Sequence, residues 1–306
     1  MDHPDMVVPF AEFAARHGAA RLWLGQSLSV DTHLVAAYLA GRGLRVPLGT
    51  GVTLLPLRHP YQAAVEARSL AVLTRQPYVA GFGAGDPEFV ENLVGRPYRS
   101  ARGAVGEYLS AVRDLLDGRP VRRRGAEFSV TGMLPPMAAH PPVEVGAGVL
   151  RPRMARTAGE VCDVAITWLA PAAYLGEVLT PALLAGAAGR ARPPRVASIV
   201  HVALDRPGRD IARLVRLSTA GHLDSPHYRD MFRLAGVRID GAAPERELVA
   251  SGAFLTGKAE EIAAGLRRFH EAGAGEVVLN ACGVLASEGA PAALADLSEI
   301  MSALSD

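Results

Sequence analysis

Cysteine is nearly missing from this chain: Cys162 and Cys282 are the two in 306 residues. Two thiols cannot build a disulfide framework, and their spacing is not that of a metal site. Aromatic residues are scarce at 6%. An excess of either sign of charge is lacking as well: 32 basic against 31 acidic residues leave +1, with no basic block to hold a nucleic acid. No apolar run reaches the ~18–20 residues of a membrane span. The opening Met-Asp-His-Pro-Asp is acidic where a signal peptide is basic, so the expected location is cytoplasmic. The chain has no P-loop, no Gly-x-Ser-x-Gly element and no kinase signature. Nine histidines form no metal pattern. His222 and His227, five apart, do not share a helix face, and no third ligand is near them in sequence.

What is present is a chain that is 49% hydrophobic and long enough for a large core. Strand and helix signals alternate. Strands are expected at 21–24, 45–52, 77–83, 143–145, 163–167, 195–203 and 276–280, seven in all. They are near-continuous apolar runs, as in parallel sheets buried on both faces. Helices are expected at 5–17, with Val8, Ala11, Ala14 and Ala15 on one side, and from a capping Asp31 to Leu39. A third opens at Pro60 with Val65, Leu70 and Leu73 facing inward. Others are expected at 102–116, 152–158, 171–188, 209–222, 257–273 and 290–304. Two stretches break the alternation: a hairpin within 119–132, pivoting near Gly125, and an irregular or weakly helical insertion over 223–256. Alternation on this scale means a single α/β domain over 1–306, either a TIM barrel or an open doubly wound sheet.

Glycine-rich turns follow several strands. In Gly-Phe-Gly-Ala-Gly-Asp at 81–86 the glycines let backbone approach a ligand, but the dinucleotide spacing is lacking. A plain strand-end turn reads equally well. Asp86 stands where a barrel site would take an acid, and a capping aspartate is the plainer alternative. Gly146-Ala147-Gly148 precedes a helix whose N-terminal amides suit a phosphate, with Arg151 and Arg153 to add charge. An ordinary turn is again as good a reading. Gly49-Thr50-Gly51-Val52-Thr53 puts two glycines in one buried strand, the mark of a bulge or of a flat ligand lying close. His59 reads as a hydrogen-bonded structural histidine, and Arg122–Arg124 as a solvated hairpin face.

The order of these turns resembles the bacterial luciferase-like superfamily and, within it, the coenzyme F420-dependent oxidoreductases. The matching stretches are 10–24, 48–60, 79–86, 108–118, 141–169 and Thr-Gly-Lys-Ala-Glu-Glu-Ile at 256–262, leading to Ala-Gly-Ala-Gly at 272–275. The resemblance implies a TIM-type (β/α)8 barrel with a flavin or deazaflavin ring at the C-terminal mouth of the strands. It implies a non-proline cis peptide near Gly51-Val52 and a phosphate grip at Ala147, Gly148 and Val149 with Thr167 and Trp168. Asp86 falls where some members carry an acid near the reacting ring. Some members also carry Asp-His after the second strand; here Gln26-Ser27 stands instead, so that acid/base pair does not carry over. Gln26 is then expected to contact the cofactor. The family's opening strand has only Met1–Pro4 to match it, so the first strand is expected to be missing or truncated.

The activity so implied is hydride transfer to an activated C=C, C=N or C=O of a small molecule or modified peptide, dehydroalanine reduction in natural-product biosynthesis being one case. The proton donors expected are Asp86, then Ser27, then a bound water. No metal is implied. The alternatives are an FMN-dependent luciferase-like monooxygenase and a non-catalytic flavin- or partner-binding barrel. Homodimerisation, common among relatives, is expected for the same reason.

Overall fold

The computed structural model describes residues 2–137 and 139–305. Two compact units are distinguished: Met1–Gly148 with Thr157–Ile166 and Gly189–Pro194, and Val149–Arg156 with Thr167–Ala188 and Arg195–Asp306.

The first unit enters through a 3-10 turn, Pro4–Val7, and helix α1 (Val8–Arg16). No strand precedes them among the described residues. Then follow β1 (Leu22–Leu24), α2 (Thr32–Gly41), β2 (Leu48–Thr50), β3 (Thr53–Leu54), α3 (Pro60–Thr74), β4 (Tyr78–Gly83), α4 (Pro87–Val94) and α5 (Ala101–Leu116). The hairpin β5 (Val121–Arg124) and β6 (Ser129–Gly132) leads to β7 (Val143–Gly148), α6 (Pro152–Val161) and β8 (Val164–Trp168). The strands pair in the parallel order β1-β2-β4-β7-β8, with β3 beside β4.

Several helix starts follow from capping. Asp31 Oδ1 accepts from the His33 and Leu34 amides at 2.8 and 3.2 Å, opening α2. Ser100 opens α5 in the same way, and Pro60 occupies the first position of α3. Helix α4 has the same signature, Asp86 before Pro87 with Gly95 closing, and sequence reasoning passed over it.

Two inward faces differ from expectation. In α1 Phe13 is buried and Ala15 is exposed. In α3 Leu73 is 53% exposed, and Ala63, Ala64, Ala67, Leu70, Ala71 and Thr74 form the buried stripe. Alanines let α3 lie close against α5 and β4, and larger residues on that side would hold them apart.

β4 is buried almost end to end, and the rings of Phe82, Tyr108 and Phe128 meet in sequence at 5.2 Å centroid spacings, the first pair tilted and the second edge-on. The hairpin docks on α5 through Glu107, whose carboxylate accepts the amides of Ala126, Glu127 and Phe128 at 2.9, 3.0 and 3.2 Å. Burial opposes its charge, but the three donors prevail and lower its pKa. Arg122–Arg124 lie exposed on β5, with Arg123 ion-paired to Asp114.

The second unit continues with α7 (Ala172–Tyr174), a π turn over Leu175–Leu179, α8 (Thr180–Gly186), β9 (Arg195–Leu204) and α9 (Ile211–Leu223). After these come α10 (Pro226–Leu234), α11 (Pro244–Ala250), β10 (Phe254–Gly257), α12 (Ala259–Glu271), β11 (Ala274–Asn280), α13 (Cys282–Glu288) and α14 (Ala290–Ser305). β9 pairs in parallel with β11 through Val196–His201 and with β10 through His201–Leu204.

The segment expected to be irregular or weakly helical holds two helices and a strand. Pro226 and Pro244 open the helices, and the four residues of β10 are too few to show a period. β10 also adds a parallel strand to the seven expected. Asp296, fully buried on α14, accepts from the Leu204 amide at 3.0 Å, from Arg206 at 2.9 Å and from Arg209 at 2.5 Å. Arg209, 3% exposed, is also held by Glu288 at 2.9 and 2.7 Å. This network joins the end of β9 to α13 and α14.

Candidate functional site

In the first unit the chain between β2 and β3 carries one extra residue. Thr53, opposite Phe82, is four residues on from Gly49, whereas Phe82 is three on from Val79. The Gly51–Val52 peptide inside this bulge is cis, at the place the resemblance indicated. Gly51 donates to the Leu24 carbonyl at 2.9 Å. The hydroxyls of Thr50 and Thr53 take over bonding to β4: Thr50 Oγ1 accepts from the Gly81 amide at 2.8 Å, and Thr53 donates to the Gly81 carbonyl at 3.0 Å.

The glycines of the 81–86 motif make this possible. A Cβ on Gly81 would meet the Thr50 carbonyl oxygen at 2.0 Å, and one on Gly83 would meet Val52 Cγ2 at 2.7 Å. On β7 a Cβ at Gly148 would sit 3.5 Å from the same methyl. The C-terminal ends of β2, β4 and β7 thus present Gly51, Val52, Gly83, Ala84 and Gly148, all half-buried and none larger than valine. Ala147 lies inside the sheet, in register with Phe82 and Ala165.

The loop after β1 borders this bed. Gln26 is pinned at both ends of its amide: Oε1 accepts from the Leu54 amide at 3.4 Å and Nε2 donates to the Ser27 carbonyl at 2.6 Å. Ser27 Oγ accepts from the amides of Ser29 and Val30, both at 3.3 Å, and these bonds leave its own proton unused. Asp86 is the N-cap of α4, accepting from the Glu88 amide at 3.0 Å. The plainer reading of that residue therefore describes its place.

Sequence reasoning overlooked a charged cluster nearby. Arg58 pairs with Asp31 and, at 2.6 Å, with Glu66, and His33 is buried beside them. Burial and the Arg58 charge lower the pKa of His33. His59 caps α3 through Nδ1, and its Nε2 meets the Ser129 carbonyl at 3.0 Å, the structural role expected of it.

In the second unit, Thr167 Oγ1 donates to Ser198 Oγ at 2.9 Å, and both residues are 1% exposed. Val149 is also buried, and Arg151 is paired with Asp230 at 3.4 Å. Trp168 meets His201 edge-on at a centroid distance of 5.1 Å and His222 at 5.4 Å. His222 in turn packs on Tyr228 at 4.8 Å, and His201 stacks on Phe254 at 6.1 Å. His201 is completely buried, and burial together with His222 brings its pKa down to about 3. Burial and His227 lower that of His222. No group of three or more His, Cys, Asp or Glu able to hold a metal occurs among the described residues, and no helix is long and apolar enough to cross a membrane. His201 and Asn280 were also missed in sequence, although a histidine inside a mostly apolar ten-residue strand is itself a signal.

The luciferase-like monooxygenase family matches residues 2–276, and the chain belongs to that family. It is similar to an F420-dependent secondary alcohol dehydrogenase solved with an F420-acetone adduct, with a TM-score of 0.75 and 19% identity over 99% of this chain and 96% of that one. It is similar also to the oxygenating constituent of 3,6-diketocamphane monooxygenase from Pseudomonas putida, solved with FMN, with a TM-score of 0.70 and 20% identity over 98% and 93%. Likeness at this level shows the fold, the TIM-type barrel of the luciferase-like kind. By sequence the chain is 33% identical over 120 residues to 4-hydroxyprotoasukamycin monooxygenase of Streptomyces nodosus subsp. asukaensis, 37% of this chain and 32% of that protein. The match thus spans about a third of that relative's length.

Proposed function

We propose that this luciferase-like oxidoreductase uses coenzyme F420 to pass a hydride to an activated C=C, C=N or C=O of a small molecule or modified peptide. The observation that carries the reading is the bed in the first unit. Gly51, Val52, Gly83, Ala84 and Gly148 leave a low apolar surface, which a flat tricyclic ring fits and a bulkier side chain would block. When bound, the deazaflavin supplies the hydride chemistry, and the protein supplies orientation. Gln26, fixed by Leu54 and Ser27, stiffens the loop that borders the bed.

Of the two donor residues expected, Ser27 fits better. Two amide N–H groups bonded to its oxygen favour negative charge there, so its hydroxyl is a stronger donor than a solvated serine. Asp86 is engaged in capping α4. Thr167, buried against Ser198, acts as a support.

A second reading has its own observations: the 33% identity to a monooxygenase supports oxygen chemistry, and the similar fold solved with FMN supports that cofactor on the same bed. Titration of the purified chain with coenzyme F420 and with FMN, followed by fluorescence and heat, separates the two. Micromolar or tighter binding of the deazaflavin with weak FMN binding is the expected result. Preference for FMN selects the monooxygenase, and binding of neither removes both.

A further inference from the structure

Among the described residues, two buried hydrogen-bond donors without a partner lie on touching rings of the second unit, and the tautomer of one follows from its neighbours. Asn280 Oδ1 accepts from the Cys282 amide at 2.9 Å, which fixes the side-chain amide and turns Nδ2 toward His201 Nε2 at 3.4 Å. An amide NH2 can only donate, so Nε2 carries the lone pair. The ring is neutral, because burial and His222 keep it from protonating near neutral pH. Its one proton therefore sits on Nδ1, and Nδ1 is buried without a partner. The indole N–H of Trp168, the ring that meets His201 edge-on at 5.1 Å, is also buried and without a partner. Two donors cannot satisfy one another. A buried unmatched donor is costly, and two on touching rings call for an acceptor from outside the chain.

We propose that Trp168 and His201 form a subsite for the neutral carbonyl oxygen of a substrate, that of a ketone, ester or amide. Neutrality follows from the surroundings. Trp168, Phe254 and Asn280 meet His201, and none of them carries a positive charge to offset a buried carboxylate. A carbonyl needs only the two N–H groups.

The role in catalysis rests on the hydride-transfer reading. Reduction of that carbonyl, or of a C=C conjugated to it, by a hydride donor forms a new C–H bond at the carbonyl carbon or at the far carbon of the C=C. The displaced π pair moves to the oxygen, and one proton is taken up to complete the reduced product. The hydride donor gives up two electrons and the substrate gains them. Both N–H protons stay on nitrogen and hold the oxygen as its charge builds.

The test is nuclear magnetic resonance on protein labelled with nitrogen-15 in histidine and tryptophan, titrated with 2-cyclohexen-1-one and, in parallel, with acetate. His201 is expected as the Nδ1–H tautomer in the free protein. The enone should shift the His201 Nδ1–H and Trp168 Nε1–H signals together and saturably, and acetate should not. His201→Phe and Trp168→Phe, which keep a ring in place, should each weaken enone binding about five- to tenfold. His201→Phe should leave coenzyme F420 affinity within about twofold, since only the oxygen contact is lost. An Nε2–H tautomer, signals unmoved by enone, a stronger response to acetate, or unchanged enone affinity in both variants would each overturn the subsite. Enone binding without oxidation of the reduced cofactor would leave the subsite standing and remove the hydride-transfer reading. Turnover indifferent to both variants would do the reverse.

Discussion

Asp296 gives the sharpest test of how the second unit is held. Its carboxylate is fully buried and receives the Leu204 amide, Arg206 and Arg209. Asp296→Asn keeps the volume and removes the charge. One oxygen then remains to accept, and the new NH2 faces guanidinium donors. Removing one partner of a buried pair costs about 3–5 kcal/mol when nothing else compensates. Glu288 still holds the other edge of Arg209, so the lower end applies, about 3 kcal/mol. With about 2 °C per kcal/mol for a large domain, the thermal midpoint should fall by about 6 °C. Arg206→Gln is the control: its side chain is 39% exposed, and its loss should cost less than about 1 kcal/mol. Thermal and urea unfolding, followed by circular dichroism, measure both. A loss below about 1 kcal/mol for Asp296→Asn, or equal losses for the two variants, would refute the reasoning.

Gly81→Ala should cost at least about 3 kcal/mol or abolish soluble expression, since its Cβ would lie 2.0 Å from a carbonyl oxygen of buried backbone; urea unfolding of any soluble fraction checks this. Ser27→Ala should lower the rate of the hydride-transfer reaction by about 10²-fold with cofactor affinity unchanged; stopped-flow loss of reduced-cofactor signal reads it. Acid should destabilise the chain through His201. Its folded pKa is depressed to about 3, so its contribution is complete above the unfolded value of ~6.5 and is lost as pH falls toward 3. His201→Phe should flatten the unfolding midpoint across that window. Neither thiol should react with a disulfide reagent at pH 8 before unfolding, because burial pushes Cys162 well up and Cys282 up to about 11.

Most of the fold could be read from sequence because punctuation and period agreed. Asp31, Pro60 and Ser100 open helices by backbone chemistry that needs no tertiary context. The order of glycine turns carried the family. The errors fall where local rules weaken. β10 is too short to show a pattern, and α3 buries alanines whose hydrophobicity is slight but whose size decides the packing. Of the expected site, Gly51, Val52 and Gly148 lie on one bed in the first unit. Asp86 caps α4, the plainer of the two readings its sequence allowed. The Asn280–His201 contact lay beyond sequence reasoning, because 79 residues separate partners that only the register of β9 and β11 aligns.

The hairpin carrying Arg122–Arg124 deserves a kinetic reading. Its tip is clamped by one carboxylate through three successive amides, and Glu127, nearly buried, takes the Arg99 amide at 2.7 Å and Arg96 at 2.9 Å. A loop so tethered does not sweep through solvent. An anionic visitor would meet guanidinium groups on a fixed spar, with much of the backbone ordering already complete before contact. Salt would then slow its arrival more than it would hasten its departure, the signature of a stationary electrostatic field acting at a distance.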